Sequence, residues 1–285
     1  MIFQNLFRRS QPIPMNGKIE KPGLYTLRHP RVIDKPLIID CDDVEINLDG
    51  YSIFCVEKSC DFGFLISSTY KNISITNGKI SRCRIGIHAP FTDNLLVKNI
   101  QFESCLYTGI NIGGKNTSIC NNDFVLINGD KGEAYSIGIN MSEGQNALIK
   151  SNNFYEIYRQ FSSEPDMVGE GVGILLGHDT KNCIIKDNYI GNTIYRTHTY
   201  GIWAAGENHT VNYNTIRNMQ HGIHLRRSYA ENNELSLDEQ YEDSKAFCGG
   251  MGVLKGNNVK NYHIHYWNNL QQNIPGTEPF RILEH

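Results

Sequence analysis

No stretch of about 18 consecutive apolar residues occurs in the 285-residue chain, so nothing in it reads as a membrane-spanning helix. Long basic or acidic runs are missing too, and the formal net charge is only −3. That balance argues against binding to nucleic acid, which draws its affinity from clustered cations. The opening residues MIFQNLFRRSQPIPM contain no apolar core long enough for a secretory signal. The closing Leu283, Glu284 and His285 look like the start of a purification tag, which leaves room for a leader trimmed in cloning.

What the chain does have is a repeat. A Gly-Ile pair recurs at Gly86, Gly109, Gly138, Gly173, Gly201 and Gly222, and Gly252 with Val253 extends the series. One variable residue follows each of the first six pairs, and then an apolar one: Ala89, Ile112, Met141, Leu176, Ala204 and Leu225. Units spaced 21 to 35 residues apart with period-2 apolarity predict stacked strands, each with one face inward and one outward. A second pattern precedes each next pair: I75-TNGK-I80, V97-KNIQ-F102, I119-CNND-F124, I149-KSNN-F154, I185-KDNY-I190 and V211-NYNT-I216. Its ladder position holds Asn77, Asn99, Asn121, Ser151, Asp187 and Tyr213, and the next position adds Asn122, Asn152, Asn188 and Asn214. Asn tolerates a left-handed turn, and its amide can bond its equivalent about 4.8 Å away in the next coil. Eight cysteines could pair, but Cys83 and Cys105 occupy the same place in consecutive coils, which predicts stacked free thiols in the core.

The motif VEINLDGYSI, the Asn column and the Gly-Ile strands together resemble the right-handed parallel β-helix superfamily, the pectate-lyase-like fold, over residues 38–267. The resemblance implies an all-β, single-domain solenoid with three strands per coil, the Gly-Ile strand being the first. Residues 1–37 would form an N-terminal cap and lead-in, 268–282 a C-terminal tail or cap, and 283–285 a tag remnant. It does not imply one function, since the superfamily holds lyases, hydrolases, epimerases, tailspikes and proteins without activity. The cysteine pattern fits a reducing compartment, whereas the family's habit is secretion.

The minimal coil is about 22 residues, and four coils are longer. Their excess (126–135, 156–171, 191–200 and 227–250) falls between the third strand and the next Gly-Ile pair. Inserts on one edge of a rigid scaffold wall a groove whose floor is the outward face of the first strands. By parity that floor carries His88, Asn111, Asn140, Leu175, Trp203 and His224, then Ser142, Ala205 and Arg226, with the glycines expected outward as a bare strip. Trp203 offers a plate for a sugar ring, Arg226 a carboxylate partner, and His224 a proton carrier near neutral pH. Asp166, Glu170, Tyr195, Arg196, His198 and Tyr200 come from the inserts.

Because the family resembled usually binds sugar on this face, the resemblance with these residues implies a carbohydrate-active enzyme, a lyase or C5-epimerase acting on a uronate-containing poly- or oligosaccharide. His224, Arg226, His198 and Tyr200 would be catalytic, and Trp203, Asn140, Asn111, Arg196, Glu170 and Asp166 would bind substrate. A hydrolase stands second, because it needs two carboxylates, for which Asp166, Glu170 and Asp179 are the candidates. No floor residue is acidic, which argues against a calcium-dependent lyase. The alternatives are a small-molecule isomerase or cyclase, and a non-catalytic, oligomeric sugar-binding or structural β-helix. No cofactor or metal is called for: His263 and His265 lack a third ligand nearby, and Gly177, His178 and Asp179 read as a turn. The partner is a saccharide or small molecule, with neither nucleic acid nor membrane, and a homo-oligomer is compatible with the aromatic inserts.

Overall fold

The computed structural model describes residues 9–56, 60–129, 135–158, 170–250 and 252–267. Within them every regular element is a β-strand, and every ladder is parallel. Each strand pairs with its counterpart one coil away, which is the topology of a parallel β-helix. The ladders reach back to Gln11–Pro12, inside the lead-in segment, and run forward to Asn258–Trp267.

Alternation explains the core. Ile87, Ile110, Ile139, Ile174, Ile202 and Ile223 are fully buried and pair with one another from coil to coil. On the third strands Phe102, Phe124 and Phe154 stack at centroid distances of 4.9 and 4.5 Å. Each such aromatic contact is worth roughly 0.5–1.5 kcal/mol beyond its buried area.

The glycines were expected outward, and the structure corrects this. A Cβ built on Gly109 would lie 2.5 Å from the Phe124 ring, and one on Gly138 would lie 2.5 Å from Phe154. Gly173, Gly201 and Gly222 face Ile190, Ile216 and Leu235 in the same way. The glycine therefore makes room inside the coil for the large residue that closes the second motif. Two inward residues in succession, glycine then isoleucine, break the alternation at that point.

The amide ladder also sits one residue later than expected. The positions of Asn77, Asn99, Asn121, Ser151, Asp187 and Tyr213 all have left-handed backbones, with φ between 55° and 59°. Asn99 is exposed and merely donates to Asn77. The buried ladder runs Asn122, Asn152, Asn188, Asn214 and Asn233 to the half-buried Asn257, each of the first five donating from Nδ2 to the next Oδ1 at 2.9–3.0 Å. Two further corrections concern the ends. Val253, with Gly252 just before it, opens a second strand, Val253–Lys255, while the first strand of that coil carries Phe247 and Cys248 opposite Ile223 and His224. The insert placed at 227–250 thus shrinks to about 238–245, because Tyr229–Glu231 and Asn233 complete an ordinary coil. It stays at the same corner. Finally, Cys83 is not a free thiol: it forms a disulfide with Cys55 of the preceding coil, while Cys105 remains free.

Candidate functional site

Register fixes the order of the outward residues. Leu65, His88, Asn111, Asn140, Leu175, Trp203, His224 and Cys248 follow one another across successive first strands. From His88 to His224 all six residues expected outward are half-buried. Because the alternation slips at the glycine, a second outward column lies beside the first. It comprises Phe62, Ile85, Thr108, Ile137, Val172, Tyr200, His221 and Lys245. Ile85, Ile137 and Val172 are buried but stand apart from the main core cluster. Phe62 stacks on His88 across the two columns, at 4.8 Å.

The columns differ in chemistry along their length. His88 Nδ1 lies 3.0 Å from Asn111 Nδ2, and Asn140 Nδ2 donates to Asn111 Oδ1 at 3.1 Å. Asn111 and Asn140 thus form a side-chain ladder at one end of the floor. The other end is aromatic and titratable. Tyr200 lies 4.7 Å from Trp203 and 4.4 Å from His221, and Trp203 stacks on His224 at 4.8 Å. His224 Nδ1 is 3.5 Å from Cys248 Sγ.

Burial sets the protonation of this cluster. It pushes the Tyr200 hydroxyl up to about 12, with the Glu170 charge acting in the same direction. It lowers His224, helped by His178, and takes His221 down to about 4, helped by Lys245. The Cys248 thiol rises to about 12 by burial, against a smaller opposing pull from Lys245. Near neutral pH the floor therefore holds a protonated phenol, a protonated thiol and two neutral imidazoles. His221 Nδ1 is buried without a hydrogen-bond partner among the described residues.

The insert residues are arranged less simply. His198 is tied by its backbone: its N–H donates to Gln220 Oε1, Gln220 Nε2 donates to Asp243 Oδ2, and Tyr195 donates to Asp243 Oδ1. Tyr195 stacks on Tyr241 at 3.8 Å, so the inserts 191–200 and 238–245 lock together as one wall. Arg196 is committed to that wall, its guanidinium 4.3 Å from the Tyr158 ring centroid. Glu170 pairs in register with Tyr135, and burial raises its carboxyl while the nearby His198 draws it down. Arg226 is exposed at the floor's edge with Nη1 2.9 Å from His178 Nδ1. Asp166 lies outside the described residues.

The structure thus brings Tyr200, Trp203, His224 and Arg226 to neighbouring coils on the first-strand face, and sets Asn111 and Asn140 apart from them. His221 and Cys248 were missed, His221 because strict alternation points it inward and Cys248 because its coil was misnumbered. His178 reads as a turn residue in the sequence but lies within the strand Glu170–Lys181, and no periodic signal marks it. Among the described residues no group of three or more His, Cys, Asp or Glu side chains is placed to hold a metal ion.

No curated protein matches the chain. Among solved structures it is similar to endo-xylogalacturonan hydrolase from Aspergillus tubingensis, at 11% identity and a TM-score of 0.49, over 90% of this chain and 85% of that one. The model of the right handed beta helix region matches residues 37–190, more than half of the chain, in agreement with the coil register derived above. The chain belongs to the right-handed parallel β-helix family.

Proposed function

We propose that this β-helix protein is a carbohydrate-active enzyme, a lyase or C5-epimerase acting on a uronate-containing poly- or oligosaccharide bound along the first-strand groove. The observation that carries the reading is the continuous cluster of Tyr200, Trp203, His221 and His224 with the Arg226 cation at its edge. Aromatic faces suit the apolar side of a sugar ring, and an exposed guanidinium suits its carboxylate.

Removing a C5 proton needs the carboxylate neutralised, a base and an acid. Arg226 supplies the charge. His224, held neutral by its surroundings, has the form a base needs, and His221 beside it is the second candidate. Tyr200 keeps its proton and can donate it to the leaving oxygen or return one to C5.

A hydrolase reading is favoured by one observation, the raised Glu170 carboxyl, since a general acid must stay protonated at working pH. It needs a second carboxylate about 5–9.5 Å away. Asp243 is already engaged by Tyr195 and Gln220.

The test is incubation with a panel of uronate polymers while unsaturated-product absorbance and proton exchange at C5 are followed. Product or exchange is expected on at least one polymer. His224→Ala and Arg226→Ala should each lower the rate by about 100-fold or more, with unchanged melting. Silence on every polymer sinks both the lyase and the epimerase. Release of reducing ends without unsaturation, lost in Glu170→Gln, would turn the assignment to hydrolysis.

A further inference from the structure

The strand Glu170–Lys181 departs from its neighbour at one point. Met141 pairs with Leu176 but Glu143 pairs with Asp179, so Gly177 and His178 together oppose the single residue Ser142. Such a bulge re-aims a side chain. It is fastened from within: Thr180 Oγ1 donates to the Gly177 carbonyl at 2.6 Å, and the buried His209 Nε2 lies 3.1 Å from that hydroxyl. From the bulge His178 spans two coils, past the small Ala205, to reach Arg226 at 2.9 Å.

The proton positions follow from the chemistry of the partners. A guanidinium only donates, so His178 Nδ1 accepts and the ring proton must sit on Nε2. The pair is therefore left with donors on both members, the His178 Nε2–H and the N–H groups of Arg226 not used in their contact. Both side chains are exposed, and theirs is the one hydrogen bond either side chain makes among the described residues. The carboxylate of Glu207, which feels the Arg226 charge, is engaged by Arg227 at 2.6 Å. The Nε2–H points away from Nδ1 across the ring, so His178 holds the guanidinium from one side and the remaining N–H groups of Arg226 offer the paired donors that match a carboxylate.

We propose that His178 and Arg226 form a single carboxylate-binding subsite at the edge of the groove, in which an acidic sugar accepts from Arg226 while His178 holds the guanidinium in place. The subsite rests on the reading of the groove as a uronate site. It adds a positioning residue, His178, through which Arg226 selects the charged sugar over its neutral ester.

The full chain is titrated at neutral pH with a uronate trisaccharide and with its methyl ester, which keeps the rings and loses the charge. The acid should bind about tenfold more tightly than the ester. His178→Ala, melting as the parent does, should bring the two within about twofold of each other. His178→Gln can accept from Arg226 and still donate, so it should keep most of the preference. His178→Asp can also accept from Arg226 but repels a carboxylate, so it should lose the acid and keep the ester. Full acid preference in His178→Ala, or equal affinity in the parent, overturns the subsite while leaving the groove assignment standing. If neither trisaccharide binds, the groove assignment fails, and the pair is judged alone by the His178 side-chain nitrogen resonances on addition of glucuronate. A shift at Nδ1, the nitrogen against Arg226, that disappears in Arg226→Ala supports the pair, and no shift overturns it.

Discussion

A histidine with no water around it is a pH sensor whether or not it takes part in chemistry, and His209 is such a residue. It is fully buried, with Nδ1 accepting from the Cys183 N–H at 3.1 Å and Nε2 facing Thr180 Oγ1. A second ring proton would meet an N–H instead of an acceptor. Burial lowers its pKa to about 4, below the 6.5 of the free side chain. Below pH 6.5 the unfolded chain binds the proton more readily than the folded one, so the contribution is intact above that pH and is lost as pH falls towards 4. Between pH 7 and pH 5 the folded state should lose about 2 kcal/mol from this residue. Urea unfolding at the two pH values measures the loss. His221, lowered to a similar degree, adds its own share, so the comparison is with His209→Gln, in which the pH dependence should shrink by about that amount. An unchanged dependence would count against the buried neutral imidazole.

Within one coil, the two turn columns that look alike in sequence do different work. Asn99 sits at φ 56° with its side chain in solvent, whereas Asn188 is buried and serves neighbours on both sides. Asn99→Gly should therefore be tolerated within about 0.5 kcal/mol, because glycine accepts the left-handed backbone freely. Asn188→Gly strands the Asn152 amide and the Ile149 carbonyl, and should cost about 2–3 kcal/mol in the same denaturation assay. Equal costs would mean that the ladder contributes nothing. The same scale explains what could be read in the sequence. The coil period, the inward isoleucines and the column from His88 to His224 follow from spacing alone, since register repeats whatever each coil contains. The place of Tyr200 and His221 does not, because it depends on a slip at glycine that arises from a clash with Phe124 or its equivalent some 15 residues away. A Gly-apolar pair at Gly252 imitates the signal on the wrong strand. The contact between His178 and Arg226 needs a bulge, and the Cys55–Cys83 bridge needs two coils in register; neither leaves a periodic trace.

For the molecule as a whole, each coil touches only the coils on either side, so stability should be graded along the axis and not uniform. Native-state hydrogen exchange should find the amides of Ile110, Ile139 and Ile174 among the slowest, and those of Ile19 and Tyr262 faster, although all five residues are buried. The N-terminal coils have a clasp in the Cys55–Cys83 disulfide, 28 residues apart in sequence. Its reduction should cost about 3 kcal/mol. That loss should appear as faster exchange in residues 44–55 and 73–87, with the Trp203 coil unaffected; uniform acceleration would imply one cooperative unit.

The slip at each glycine has a last consequence. It gives every coil two outward side chains on the floor where simple alternation would give one, three residues apart in sequence and side by side in space. Where neither is covered, a chain molecule lying along the axis would meet a fresh pair at each step of about 4.8 Å. The inward isoleucine between them never changes place. Tyr200 with Trp203, and His221 with His224, are two such pairs, whereas Ile137 beside Asn140 is buried. The scaffold thus works like a row of two-character tiles, in which the wording of a site can be rewritten or moved along by one coil while the spelling of the core stays the same.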